Sequence, residues 1–188
     1  MIGVLPGQLE VDGRQYPIRT DYRVILTVFE AFNDSELSLA EKWETAIRLI
    51  FPDWRSIEDK NEAAAKISWF INLGKEEDKN TKENSTPCFD WKQDEQLIFS
   101  AVNNVAGQEV RALPYLHYWT FAGYFNEMGE GLFSTVISIR TKKRKHKKLT
   151  EAEQEFYRNN KAMVDLQRHY SKEELEEKAF IDAILGGV

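Results

Sequence analysis

The chain has 188 residues, 42% of them hydrophobic and 30% charged, enough for one substantial core and ordinary for a soluble protein. Its net charge of −6 argues against nonspecific nucleic-acid binding by the chain as a whole. No apolar run approaches the roughly 20 residues a bilayer span requires, so no membrane partner is expected. A single cysteine, Cys88, excludes an internal disulfide and fits a reducing cytoplasm. Met1 to Leu9 has no basic segment followed by an apolar run, so no secretion signal is expected and the protein should act where it is made.

Leu9-Glu10-Val11 and Tyr16-Pro17-Ile18 flank Asp12-Gly13, a dipeptide suited to the positive backbone angles of a tight hairpin. Two strands alone are marginal, so this hairpin must lean on helices. Asp21 opens a helix whose Tyr22, Ile25, Leu26, Phe29 and Phe32 keep helical spacing. Ser38-Leu39-Ala40-Glu41 reads as a capping box for a helix burying Leu39, Trp43, Ala46, Ile47 and Ile50 and stopped by Pro52. A further helix starts near Ser56 or Asn61, buries Ala63, Ala64, Ile67, Phe70 and Ile71, and ends at Gly74. Lys75 to Pro87 is polar throughout and is expected to be a mobile loop inside one domain rather than a boundary. Asp90-Trp91-Lys92-Gln93 again suggests a capping box, with Trp91, Ile98, Ala101, Val102 and Val105 on a face that ends near Gly107.

Between Tyr115 and Phe125, six of eleven residues are aromatic and none is Lys, Arg, Asp or Glu. With Pro114 as first helical residue, this stretch is expected to be a helix covered on several sides. Gly129 and Gly131 bracket a turn, and Leu132, Phe133, Val136 and Ile137 supply one more helical face. From Thr141 the character changes. Lys142-Lys143-Arg144-Lys145-His146-Lys147-Lys148 is an unbroken cationic run in an acidic protein. It can contact phosphate, but no aromatic interleaves it to stack on bases, so a linker or a surface for acidic protein is favoured over nucleic acid. Thr150 starts a helix carrying Phe156, Tyr157, Met163 and Val164; Ser171 starts another with Leu175, Ala179, Phe180, Ala183 and Ile184. The expected architecture is mainly α: a single helical domain of about six or seven helices with a short N-terminal β-hairpin and a helical C-terminal arm. Residues 1–140 form the core, and 141–188 a basic linker plus the charged arm. Lys142, Lys143, Arg144, Lys145, Lys147, Lys148, Phe180 and Ile184 are the candidate partner contacts.

Tyr115-Leu116-His117-Tyr118-Trp119-Thr120-Phe121, with Phe125 after it, resembles the Tyr-Leu-His-Trp-Trp-Lys-Phe signature of a bacteriophage family named after gene product fifteen. Other stretches agree in order: Tyr16-Pro17-Ile18, Thr20-Asp21-Tyr22-Arg23, Leu39 to Phe51-Pro52, Trp69-Phe70 before Gly74-Lys75, Phe89 with Asp94 ahead of a helix, and Leu132-Phe133 leading to Ile139-Arg140. The resemblance runs from about Val11 to Lys161. Tyr118 and Thr120 stand where the pattern has Trp and Lys, and the basic run and the tail after Tyr170 have no counterpart. It implies a tail-assembly protein of long-tailed bacteriophages. Such a protein would be a chaperone that binds the tape-measure protein and helps recruit the major tail protein in the host bacterial cytoplasm, with self-association as a further option. Two other roles stay open, a minor structural component kept in the virion and a nucleic-acid-binding module through the basic run.

The residues themselves offer little chemistry. His117, His146 and His169 lie far apart, and none pairs with a cysteine or another histidine at metal-ligand spacing. No phosphate-cradling glycine motif occurs, and Cys88 has no nearby histidine to activate it. Neither catalysis, a metal nor a cofactor is expected, and binding is the expected mode of action.

Overall fold

Asp12 at φ 50° and Gly13 at φ 70° both take the left-handed conformation a tight turn demands, and the flanking strands β1 (Gln8–Val11) and β2 (Arg14–Pro17) pair antiparallel with Leu9 opposite Tyr16. Leu9 and Val11 alternate with exposed residues, so one face of the hairpin is buried, against α3 (Lys60–Ile71). The structure, a computed structural model, describes residues 2–75 and 88–167.

Three helices follow the hairpin, each with a side-chain cap. Asp21 accepts from Arg23 N–H at the start of α1 (Tyr22–Asn33), Ser38 and Glu41 form a reciprocal capping box on α2 (Leu39–Ile50), and Asp59 accepts from Asn61 and Glu62 N–H on α3. Leu39, expected in the core, is 67% exposed: it is the first residue of α2, and the buried face begins only at Ala46. No helix starts at Ser56. Residues 54–56 form a separate 3-10 turn, and Trp54 there sits under the guanidinium groups of Arg48 and Arg55, 4.6 and 4.7 Å from its ring centre. Helix α3 stops where Leu73 and Gly74 turn left-handed, with Gly74 N–H returning to Trp69 C=O at 2.9 Å. A Cβ on Gly74 would stand 3.2 Å from the Trp119 ring and 3.3 Å from that of Trp69, so the glycine meets both a backbone and a space requirement. The loop expected over 75–87 lies outside the described residues after Lys75.

Helix α4 (Glu95–Ala106) ends at Gly107, left-handed at φ 68°. Its beginning departs from expectation. Asp90 accepts from Lys92 and Gln93 N–H in a turn ahead of the helix, so Trp91 lies outside α4 and stacks on Phe29 at 5.6 Å. Val105 is 36% exposed, because the buried stripe is Ile98, Phe99 and Val102 and the last turn runs past it.

The aromatic stretch is not helical from its start. Pro114 to Leu116 is not helical, and α5 spans Tyr118–Asn126 with His117 as its cap. The cause is a competing set of bonds: Tyr22 N–H donates to Leu116 C=O, Tyr118 N–H to Thr20 C=O, and Leu116 N–H to the Asp21 carboxylate, at 3.0, 2.7 and 3.2 Å. Helix α6 (Leu132–Arg144) follows the glycine turn, with Leu132, its first residue, 47% exposed rather than buried. Ser134 bonds back to both N–H and C=O of Gly131 to close its first turn. Helix α6 runs through Thr141 without a break, so the expected linker begins as the last turn of a helix. A turn containing His146 at φ 52° then leads to α7 (Glu151–Asn159), capped by a Thr150–Glu153 box, and to the single turn α8 (Lys161–Val164).

The described residues thus hold eight α-helices, mainly helical as expected, with the hairpin as their only sheet. Two apolar clusters hold them. The larger extends from Leu9 through Tyr22, Phe51, Phe70 and Phe121 to Phe133; the smaller joins Val136 and Ile139 of α6 to Val164 of α8 under Leu149, Phe156 and Met163. Leu97 borders both. No described helix is long and apolar enough to cross a membrane.

Candidate functional site

The signature residues lie just before and within α5, and their side chains are mostly spent on holding neighbouring elements. His117 uses both ring nitrogens: Nδ1 accepts from Trp119 N–H at 3.0 Å, so Nε2 carries the proton and donates to Pro6 C=O at 3.0 Å. One imidazole therefore caps α5 and fastens the N-terminal segment. Tyr118 Oη donates to Ile71 C=O at 3.0 Å and Trp119 Nε1 to Phe70 C=O at 2.9 Å, so two side chains of α5 satisfy carbonyls at the C-terminal end of α3. Phe121 stacks on Tyr22 with ring centres 4.4 Å apart and planes 9° from parallel. Phe125 packs among Phe89, Trp91 and Phe133, and Leu116 is half-buried.

Tyr115 is the exception. It was expected to share the buried face, yet it is 54% exposed, because it lies ahead of the helix and its side chain turns outward, bonding Thr20 Oγ1 at 2.7 Å through its hydroxyl. The His117–Pro6 bond lies two residues from Tyr115 on one side. On the other side it lies one and two residues from Leu5 and Val4, which are also exposed.

Burial pushes the Tyr118 phenol up from 10.0 to about 12. An unfolded chain ionises first, so this group adds stability below about pH 10 that is lost as pH rises toward 12, at most roughly 3 kcal/mol. Tyr118→Phe is expected to cost about 1 kcal/mol near neutral pH through the lost bond to Ile71. It should also flatten the fall in stability between about pH 10 and 12. Urea titrations across that range, against the unsubstituted chain, check both effects.

The second group of interest surrounds a buried ion pair. Arg140 grips Asp94 with a two-pronged contact of 2.5 and 2.9 Å, and donates further to the carbonyls of Val164 at 2.6 Å, Met163 at 2.8 Å and Cys88 at 3.1 Å. One guanidinium so ties α6 to the start of α4, to α8 and to the chain at Cys88. The resemblance touches Asp94 and Arg140 separately, and their pairing was missed. The available signal was an arginine in the register of Phe133 and Val136 on the apolar face of α6.

The basic run divides. Lys142 and Lys143 belong to the last turn of α6 and face their own chain: Lys142 Nζ holds both oxygens of Glu153 at 2.6 and 2.8 Å, and Lys143 reaches Asp165 at 2.6 Å over the ring of Tyr157. The Lys142 and Thr150 bonds hold the Glu153 carboxyl below its ordinary range. Arg144 ends the helix, and Lys145, Lys147 and Lys148 lie exposed in the turn after it. Phe180 and Ile184 lie outside the described residues. Cys88 is half-buried, its sulfur accepting from Thr141 Oγ1 at 3.2 Å. Asp12, Asp59 and Glu62 bring carboxylate oxygens within 4.8 Å of one another, but they serve backbone N–H groups: Glu62 accepts from Asp12 and Asp12 from Asp59.

Comparison with protein families matches residues 1–166 to the family described as Bacteriophage Gp15 protein. The chain belongs to the bacteriophage Gp15 family. The Gp15 match takes in the hairpin, the His117 hinge, the Asp94–Arg140 pair and both α7 and α8, and it starts earlier and runs further than the resemblance read from the motifs. It includes the basic run and leaves out residues 167–188. No curated protein and no solved structure matches the chain.

Proposed function

We propose that this Gp15-family protein is a tail-assembly chaperone of a long-tailed bacteriophage, working in the host cytoplasm by binding rather than catalysis. Its client is the tape-measure protein, a long helical chain whose apolar stripes would aggregate unless covered before the tail tube forms around it. The major tail protein, or a second copy of this chain, is the partner that arrives next. The observation carrying the reading is the exposed end of the signature block. Tyr115, Val4 and Leu5 face solvent on either side of the His117–Pro6 bond, while the rest of the block is buried or half-buried. A rigid aromatic and two aliphatic side chains, on segments joined by that bond, give contact area at low entropic cost. Lys145, Lys147 and Lys148 add positive charge for an acidic partner, whereas Lys142 and Lys143 are committed within the chain. That commitment weighs against a nucleic-acid role for the run.

Co-expression with the tape-measure protein of the same phage tests the reading. Soluble yield of the tape-measure protein should rise well above that of a control lacking this chain, and the two should co-purify. An insoluble tape-measure protein with no association rejects it. Stoichiometric recovery of this chain from purified virions would favour a structural tail component instead.

A further inference from the structure

The chain beside Tyr115 is stitched to the end of α2. Tyr115 Oη bonds Thr20 Oγ1 at 2.7 Å, and Arg19, the residue before Thr20, is exposed. Arg19 N–H donates to Ile50 C=O at 2.8 Å, and its Nη1 donates to the carbonyls of Leu49 and Arg48 at 2.8 and 3.2 Å. On the other side Ile18 N–H donates to Gly7 C=O at 3.0 Å, next to the Pro6 that His117 holds. Residues 18–20 therefore join the segment carrying Val4 and Leu5, the segment carrying Tyr115 and the last turn of α2.

That last turn carries Arg48, whose guanidinium lies on the half-buried ring of Trp54 together with that of Arg55. Arg19, Arg48 and Arg55 are all exposed. Glu44 pairs with Arg48 at 2.6 Å, but among the described residues no carboxylate pairs with Arg19 or Arg55, not even Asp53 in the same turn as Trp54. Two unneutralised guanidinium groups in a chain of net charge −6 attract carboxylates locally, although the molecule as a whole repels them. Trp, Tyr and Arg are the side chains that most often anchor interfaces, and an arginine already stacked on a ring has less freedom to lose on pairing. Nucleic acid fits this surface less well. The ring of Trp54 is engaged by two guanidinium groups rather than open to a base, and Val4 and Leu5 offer nothing to a phosphate.

We propose that Arg19, Arg55 and Trp54 extend the client surface beyond Tyr115, and that this surface takes a protein segment in which Asp or Glu residues flank an apolar stripe. The inference rests on the client reading above and adds the chemistry of the segment bound. Apolar side chains of the client meet Tyr115, Val4 and Leu5, and its carboxylates meet the arginines.

The test uses the full chain and overlapping fluorescent peptides that tile the tape-measure protein, with anisotropy read at about 0.15 M salt. The peptides that bind should be those in which carboxylates flank apolar residues. Arg19→Glu with Arg55→Glu should weaken them roughly tenfold. Arg158→Glu with Lys161→Glu, the same change of net charge at exposed positions on α7 and α8, should leave them within about twofold. Arg55→Glu alone should weaken binding about threefold, and it leaves the Arg19 bonds to α2 in place. Binding that neither reversal at Arg19 and Arg55 changes, while Tyr115→Asp abolishes it, overturns this inference and leaves the client reading standing. A preference for peptides without carboxylates overturns it, as does displacement of a bound peptide by a single-stranded oligonucleotide. Absence of any bound peptide overturns it as well, and the co-expression experiment then decides the client reading by itself.

Discussion

Arg140→Ala is expected to lower the unfolding free energy by about 3–5 kcal/mol, the cost of leaving a buried charge without its partner. The Asp94 carboxylate would be stranded inside the protein, and the carbonyls of Met163, Val164 and Cys88 would lose a donor at the same stroke. For a chain of this size that corresponds to a fall in Tm of roughly 10 °C. Arg140→Lys should recover little of it, because an ammonium cannot reproduce the fork that reaches two carboxylate oxygens and three carbonyls together. The loss should be uneven. Hydrogen exchange should quicken first at Met163 to Asp165, which α6, α7 and Gln93 help to hold in place. A urea titration of both variants, with Asp94→Ala and the double substitution to close the cycle, measures the coupling; additive effects would show that the pair does not act as one unit.

Phe121→Ala is expected to cost about 3–5 kcal/mol, as emptying a fully enclosed aromatic site does when neighbours cannot collapse into it. Its ring touches Tyr22, Trp91 and Phe99, which come from α1, the turn before α4, and α4 itself. Those elements are anchored independently, α1 by Asp21 and Arg23 and the turn by Asp90, so the cavity should persist. Phe121→Leu keeps most of the volume and should lose less than half as much. Thermal unfolding distinguishes the two; equal losses would mean that the stacked geometry on Tyr22, rather than volume, supplies the stability.

Much of this fold was legible because it is written locally. The Asp12-Gly13 turn, the Asp21 and Ser38 caps and the glycine stops at Gly74 and Gly107 depend on residues within one turn of each other, and each forms as expected. What escaped was set by distant strands of chain. Pro114 looked like the first residue of a helix, but the backbone at Leu116 is claimed by Tyr22 and Asp21, far away in sequence, and helicity waits for His117. Leu39 and Leu132 fit a hydrophobic spacing yet sit in first turns that project beyond the core. The Thr141 boundary was suggested by a change of charge, and charge pattern does not reveal that Lys142 and Lys143 have carboxylates waiting on α7 and just after α8. In the signature block the buried aromatics were readable from composition. That Tyr115 alone faces water was not, and it is this residue that turns a core motif into a candidate surface.

The most direct test of that surface is the Tyr115→Asp, Leu5→Asp variant in co-expression with the tape-measure protein. Both positions are exposed, so the variant should fold with a Tm close to that of the unsubstituted chain while the tape-measure protein returns to the insoluble fraction and ceases to co-purify. A tape-measure protein that stays soluble and bound to a folded variant would contradict the proposal that these exposed residues meet the client.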